Sequence, residues 1–272
     1  MIDNSLAGVG INLRLDYIDE LLEKKPNLPF VEVIADNWLS FGPHHKKLEK
    51  VRELYPISFH CVGMNLCSDD KIDSKYIDSI KSLSERFNPF QISDHLSVQA
   101  LDGNYFHDLL PHPFSHSIIK STANKIDEIQ NILKRQILVE NLSYYHQFEE
   151  SEMKEYEFIN QLAELADCHI LFDLNNIWVN EMNYGICSEN FLKKINHDRV
   201  KEIHIAGAEI IDGIYVDTHG SSVNESVRTL LKRAEAVLGD CPIVYERDNN
   251  LPTFGEFIKE RVQIEEMLYA PA

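Results

Sequence analysis

The sequence predicts an α/β protein built as one (β/α)8 barrel of the TIM type. Three observations carry that expectation. Short apolar runs without helical spacing alternate with amphipathic segments about eight times, which fits a barrel better than an open sheet. Several of these runs stop at a His, Asp or Glu. The glycine-rich phosphate turn of a doubly wound sheet is missing, because Gly8-Val9-Gly10 lacks a third glycine and a helix start.

Taken in order, residues 7–13 are the first strand, and Tyr17, Ile18, Leu21 and Leu22 share one face of the segment after it. Residues 30–35 are the second strand, followed by a helix over 43–54 that turns Leu48 and Val51 inward. The third strand covers 57–62, and Asp73 can cap a helix carrying Tyr76, Ile77, Ile80 and Leu83. After the fourth strand, 90–95, a long loop from Gln99 to Phe114 occupies a place where enzymes carry lids. The next helix buries Ile118, Ile119, Ile126, Ile129 and Leu133. Gln136 to Asn141 forms the fifth strand, an apolar run that ends on the carboxylate of Glu140. A helix over 152–166 with Tyr156, Ile159, Leu162 and Ala163 in one stripe leads to the sixth strand, 169–173. Phe191, Leu192 and Ile195 mark a short helix, 200–205 the seventh strand, 223–238 a helix, 242–246 the eighth strand and 254–268 the last helix. No linker divides the chain, so residues 1–272 are expected to form a single domain.

Composition narrows the partners. Apolar residues make up 44%, ordinary for a globular core, while 26 basic against 44 acidic residues give a net charge of −18. That balance argues against nucleic acid or an anionic membrane as the main partner. No apolar stretch reaches the roughly 20 residues of a membrane span. The start, Met-Ile-Asp-Asn-Ser, lacks the features of a signal peptide, so a cytoplasmic protein is expected. Cys61, Cys67, Cys168, Cys187 and Cys241 are odd in number and contain no Cys-x-x-Cys pair. Neither a disulfide framework nor a zinc ribbon is indicated, and most read as small buried hydrophobes.

Chemistry concentrates at the strand ends, where such barrels place catalytic groups. His60 ends the third strand, Asp94-His95 the fourth, Glu140-Asn141 the fifth and Asp173 the sixth, with Asn175 and Asn176 beyond it. The seventh carries His204, its following loop offers Asp217-Thr218-His219, and Glu246-Arg247-Asp248 ends the eighth. Any one of these alone is more often a hydrogen-bonded structural group. Together they form a nitrogen and oxygen donor set without thiolate, suited to iron, manganese or zinc. Glu140, Asp173, Asp217 and Glu246 would bring four negative charges into one mouth, and two or three metal ions would compensate them. Glu140, central in strand order, is the natural bridge. Glu32 and the pair Asp36-Asn37 can orient ligand imidazoles, His107 and His112 can touch substrate, and Arg14 or Arg247 can meet a carboxylate. His44, His45, His116, His146 and His197 read as surface residues, and Glu149, Glu150 and Glu152 as a solvated helix start. At this level a sugar isomerase or epimerase, an endonuclease-like hydrolase and a partner-binding barrel with structural metals all remain open.

The motifs Gly8-Val9-Gly10, Phe59-His60-Cys61-Val62-Gly63, Ser93-Asp94-His95-Leu96, Phe106-His107-Asp108-Leu109-Leu110-Pro111, Val139-Glu140-Asn141, Phe172-Asp173-Leu174-Asn175-Asn176, Ile203-His204-Ile205-Ala206-Gly207, Asp217-Thr218-His219 and Tyr245-Glu246-Arg247 carry a resemblance spanning the chain. In this order they resemble the multinuclear non-heme iron-dependent oxidases, the family that includes the methanobactin biosynthesis oxidase. The resemblance implies a TIM-type barrel with two or three irons of mixed Fe2+ and Fe3+ state. It places His60, His95 and Glu140 around one iron, and Glu140, Asp173, His204 and Glu246 around a second. A third would take Asp217 and His219, with Asn176 close by. It further implies catalytic roles for Glu140, Asp173 and His204 and dioxygen as co-substrate. The implied substrate is a ribosomally made precursor peptide modified at cysteine, brought by a small leader-binding partner protein. In the second strand, Ala35-Asp36-Asn37 stands where many relatives have Ser-Glu-Asn.

Overall fold

The computed structural model describes residues 6–40, 42 and 44–269. Residues 1–5, on which the signal-peptide argument rests, Pro43, the expected start of the second helix, Phe41 and residues 270–272 lie outside the described residues.

The elements run β1 (Gly8–Asn12), α1 (Ile18–Lys24), β2 (Val31–Ile34), α2 (His45–Leu54), β3 (Ile57–His60), α3 (Ser74–Phe87), β4 (Ile92–His95), β5 (Val98–Leu101), β6 (Asn104–Leu110) and α4 (His116–Leu133). Then follow β7 (Leu138–Glu140), α5 (Glu155–Leu165), β8 (His169–Asp173), α6 (Leu174–Tyr184), α7 (Ser188–Lys194), β9 (Val200–Ile205), β10 (Glu209–Ile211), β11 (Ile214–Val216), α8 (Glu225–Leu238), β12 (Pro242–Tyr245) and α9 (Phe254–Tyr269). Strands β1, β2, β3, β4, β7, β8, β9 and β12 close in that order into a barrel of parallel neighbours, with β12 returning to β1. This is the expected TIM barrel.

Each predicted barrel strand is present because its residues are buried on both faces; Val9, Ile11, Val31, Val33, Ile57, Phe59, Val139 and Ile170 have no exposed surface. Asp73 does cap α3, accepting from the backbone amides of Lys75 and Tyr76 at 3.0 and 3.3 Å. Register then sets the site: His95 lies opposite Glu140, and Asp173 opposite His204. Ligand-type residues on neighbouring strands therefore reach the mouth at one level.

Several expectations are corrected. Residues 99–114 are not a plain loop but contain the antiparallel hairpin β5–β6, and a second hairpin, β10–β11, rises after β9. Both turn on Asp-Gly: Asp102 and Gly103 have φ of 52° and 74°, Asp212 and Gly213 50° and 86°, values that glycine and aspartate tolerate best. Helix α6 starts directly at the end of β8, because the Asp173 carboxylate accepts from the Asn176 amide at 2.6 Å and caps it. His45 is not a surface residue. It is buried, with Nε2 2.8 Å from the Trp38 carbonyl and its ring stacked on Phe87. His44, His116 and His146 are exposed and His197 is half-buried. Four cysteines are buried, whereas Cys187 is exposed. No helix among the described residues is long and apolar enough to cross a membrane.

Candidate metal centre

The mouth is built from two sets of donors that meet at Glu140. On one side, His60 Nε2 and His95 Nε2 lie 3.2 Å apart, and each faces Glu140 Oε2, at 3.4 and 3.3 Å. His60 is oriented from behind by Ser93, whose hydroxyl is 2.8 Å from Nδ1. On the other side Glu140 Oε1 lies 3.7 Å from His204 Nδ1, which is 3.2 Å from Glu246 Oε2. The oxygens of one carboxylate thus face two separate imidazole groups.

Asp173 closes the second set, since one ligand atom each from Glu140, Asp173 and His204 fall within 4.8 Å of one another. The same holds for Asp173, His219 and Glu246. His219 sits at a left-handed φ of 51°, held by the amide of Asp248 on its carbonyl, and its Nε2 is 2.9 Å from Asp217 Oδ1. Asn176 lies at the rim, its Oδ1 without a partner while its amide group donates to the Asn141 carbonyl at 3.0 Å.

Electrostatics agree with a cation site. Burial, reinforced by Asp217, Glu140 and Glu246, pushes the Asp173 carboxyl well above the usual carboxylate range. Burial likewise lifts Glu140 to about 7 despite His95 and His204 beside it. Burial and the charges of His95 and His204 hold His60 well below the ordinary imidazole value, leaving its lone pair free. Burial pulls His204 down as well, but Glu246 and Glu32 outweigh it and hold it high. Oε2 of both Glu140 and Glu246 is buried without a hydrogen bond.

Two acids support the ligands from behind, of which Glu202 is absent from the strand-end set and Asp248 belongs to it. Glu202 lies beneath the mouth, hydrogen-bonded to Glu32, and accepts from the Ser58 hydroxyl at 3.1 Å. Glu32 in turn faces His204 Nε2 at 3.0 Å, which directs Nδ1 to the mouth. The strand alternation of Val200-Lys201-Glu202-Ile203-His204 carries this signal, because residues two apart share a face. Asp248 is the second: it reaches His219 Nδ1 at 3.2 Å, Asn12 at 2.7 Å and Arg14 at 2.9 Å. Arg14 is therefore paired at the rim, whereas Arg247 is buried and turns to Glu260 at 3.7 Å. Asp36 lies apart, holding the Val62 amide and the Tyr76 hydroxyl. His107 is exposed on β6 and His112 is buried, and neither lines the space above the donors.

Above the donors is a cavity of about 500 Å3, lined among others by Ile34, Asp108, Leu109, Tyr145 and Thr218. Its Asp217–His219 wall depends on Gly207, where a Cβ would stand 2.2 Å from the Ser221 carbonyl oxygen. Gly207→Ala should push this segment away, lower stability by about 1–3 kcal/mol and weaken metal retention. Thermal melting and elemental analysis of the purified variant measure both, and unchanged values would contradict the close approach.

Fold and donor set together define a TIM-barrel protein with a candidate metal centre at the carboxyl ends of its strands. The chain belongs to the MbnB/TglH/ChrH family, whose model, described as RiPP precursor modification enzyme MbnB/TglH/ChrH, matches residues 8–269. That bears out the resemblance to the multinuclear non-heme iron-dependent oxidases. A UPF0276 protein of Acaryochloris marina is 38% identical over 264 residues, covering 97% of this chain and 96% of its own. One of Neisseria meningitidis serogroup C is 40% identical over 261 residues, covering 94% and 93%. Among solved structures, endonuclease IV from Thermus thermophilus superposes with a TM-score of 0.60 at 15% identity, covering 97% of this chain and 98% of that one. D-psicose 3-epimerase from Clostridium cellulolyticum H10 gives 0.62 at 11%, covering 96% and 95%. These structures share the fold.

Proposed function

We propose that the protein is an iron-dependent oxidase that uses dioxygen to modify cysteine in a ribosomally made precursor peptide, presented by a small leader-binding partner protein. The supporting observation is the divided carboxylate of Glu140, one oxygen toward His60 and His95 and the other toward His204. The residues fit a set of cations: unpartnered oxygens of Glu140, Glu246 and Asn176 point into a mouth whose acids are pushed toward protonation when nothing compensates them. Imidazole and carboxylate without thiolate suit iron, manganese or zinc, and family membership favours iron. His60, His95 and Glu140 would hold one ion, and Glu140, Asp173, His204 and Glu246 a second. His219 would serve a third with Asp217, its proximity to Asp173 and Glu246 making these shared ligands.

Bound iron would supply the one-electron chemistry with dioxygen that side chains lack. The chain's part is placement. Glu32, backed by Glu202, fixes the His204 tautomer, and Ser93 fixes His60. Asp248 steadies His219, and the β5–β6 hairpin narrows the mouth through Asp108 to Pro111. Leu109, Leu110 and Val62 give the reacting carbon an apolar wall and reduce access of water.

The test is aerobic incubation of the iron-containing protein with a cysteine-bearing precursor peptide and partner encoded beside it. Dioxygen uptake and a mass change confined to the cysteine segment are expected. An iron-loaded protein that takes up no dioxygen and leaves the peptide unchanged would refute the reading.

A further inference from the structure

Beside the mouth lies a larger cavity, about 780 Å3, that the chemistry above does not use. It runs between the segment joining β7 to α5 and the turn joining α6 to α7. Pro111 and Tyr144 line both spaces, so the groove adjoins the site wall to wall. Its surface is aromatic: Tyr144 stacks on Tyr184, and Tyr156 meets Phe191 edge-on.

Three carboxylates, Glu152, Glu155 and Glu157, line the groove against one lysine, Lys154. Two of them are occupied as helix caps. Glu152 accepts from the His116 amide at 2.7 Å, and Glu157 from the Lys154 amide at 2.9 Å. Glu155 is different. It is only 7% exposed, its carboxylate accepts from the Leu142 amide, and Oε2 has no hydrogen-bond partner. The neighbouring His112 offers it none, because both ring nitrogens turn to backbone carbonyls, at Pro113 and Leu96. No ion pair to Glu155 occurs among the described residues. A buried acid without a cation, flanked by aromatic rings, matches a group with a positive head and an apolar stem.

We propose that this groove is a subsite for the substrate peptide, in which Glu155 receives a lysine or arginine side chain from a residue flanking the one modified at the mouth. The proposal rests on the peptide reading above. A peptide crossing from the mouth past Tyr144 would lay its backbone along the β7–α5 segment. Alternate side chains would then face the groove. The rings of Tyr144, Tyr184 and Tyr156 would take the stem and Glu155 the charge.

The test uses the full-length, metal-containing protein and short blocked Gly/Ser peptides carrying one cysteine and one lysine, with the spacing between them scanned. Each has a norleucine counterpart, and binding is measured by calorimetry. At one or more spacings the lysine peptide should bind at least about tenfold more tightly than its counterpart, a difference of about 1.4 kcal/mol. In Glu155→Gln that preference should fall below about twofold. Peptides that bind through cysteine but show no lysine preference at any spacing overturn the subsite alone, as does a preference that survives Glu155→Gln. Failure of every cysteine peptide to bind overturns the subsite as an independent contact, and failure of the precursor peptide with its partner protein in the aerobic test above overturns the peptide reading with it. Should Glu155→Gln not fold, the wild-type comparison of lysine with norleucine still decides, and Glu155→Asp, which withdraws the charge from the groove, should weaken the preference.

Discussion

Glu140→Ala protein should purify with little of its metal, losing it from both halves of the mouth at once. The expectation follows from the way Oε2 faces His60 and His95 while Oε1 faces His204. Loss of an outer partner of a ligand usually costs about 10–100-fold in metal affinity, and loss of a shared ligand should exceed that. His60→Ala, by contrast, removes a donor from one side and should spare the Asp173, His204 and Glu246 side. The fold should survive Glu140→Ala, since burial already disfavours that charge and lifts its pKa to about 7. Elemental analysis with a thermal melt on each variant is the measurement. Full metal retention in Glu140→Ala would end the bridging role.

Glu155→Gln should be more stable than the wild type at alkaline pH and equal to it in acid. Burial raises the Glu155 carboxyl from 4.5 to about 8, so folding favours the protonated form. Below about 4.5 the group is protonated in both folded and unfolded chains and nothing is lost. As pH rises toward 8 the unfolded chain ionises first, and stability is progressively lost; above about 8 the loss is complete. Glutamine keeps an oxygen for the Leu142 amide and never ionises. At pH 8 the variant should therefore gain about 4 kcal/mol, a Tm higher by about 8–16 °C. Equal melting temperatures at pH 8 would remove the premise that Glu155 is an uncompensated acid. A residue that weakens the free fold in this way is what a ligand-receiving position leaves behind.

The barrel and most of the donor set were legible in the sequence for one physical reason. In a closed parallel sheet every strand points its carboxyl end at the same mouth, so strand ends such as His60, His95, Glu140 and Asp173 can be grouped without knowing the third dimension. What escaped has equally specific causes. The strand β6 is exposed along nearly its whole length, so it shows no apolar alternation. Its hairpin announces itself only through Asp102-Gly103, as the other does through Asp212-Gly213. Helix α6 follows β8 without a loop, because Asp173 doubles as strand end and helix cap. Glu202 hid within a strand rather than at its end. Its burial is tolerable because burial and the neighbouring Glu32 charge push its carboxyl toward the neutral form and the Ser58 hydroxyl donates to it. His45 and His112 look polar in the sequence, yet each trades hydrogen bonds with nearby backbone carbonyls and so can be enclosed.

The seam between β1 and β12 joins the two extremes of the barrel, and the Arg247 amide donates to Asn12 across 235 positions of sequence. Such pairings are entropically late to form, so the sheet must curl around before its first and last strands meet. Glu246 follows β12, and the Asn12–Asp248 bond ties its strand end to β1. An open sheet would therefore have His60 and His95 near Glu140 but no complete mouth. Whatever binds the finished mouth draws the population toward closure by mass action. Chelation should in turn loosen the seam first, exposing α9 and the amino-terminal strand to proteases before the middle of the chain.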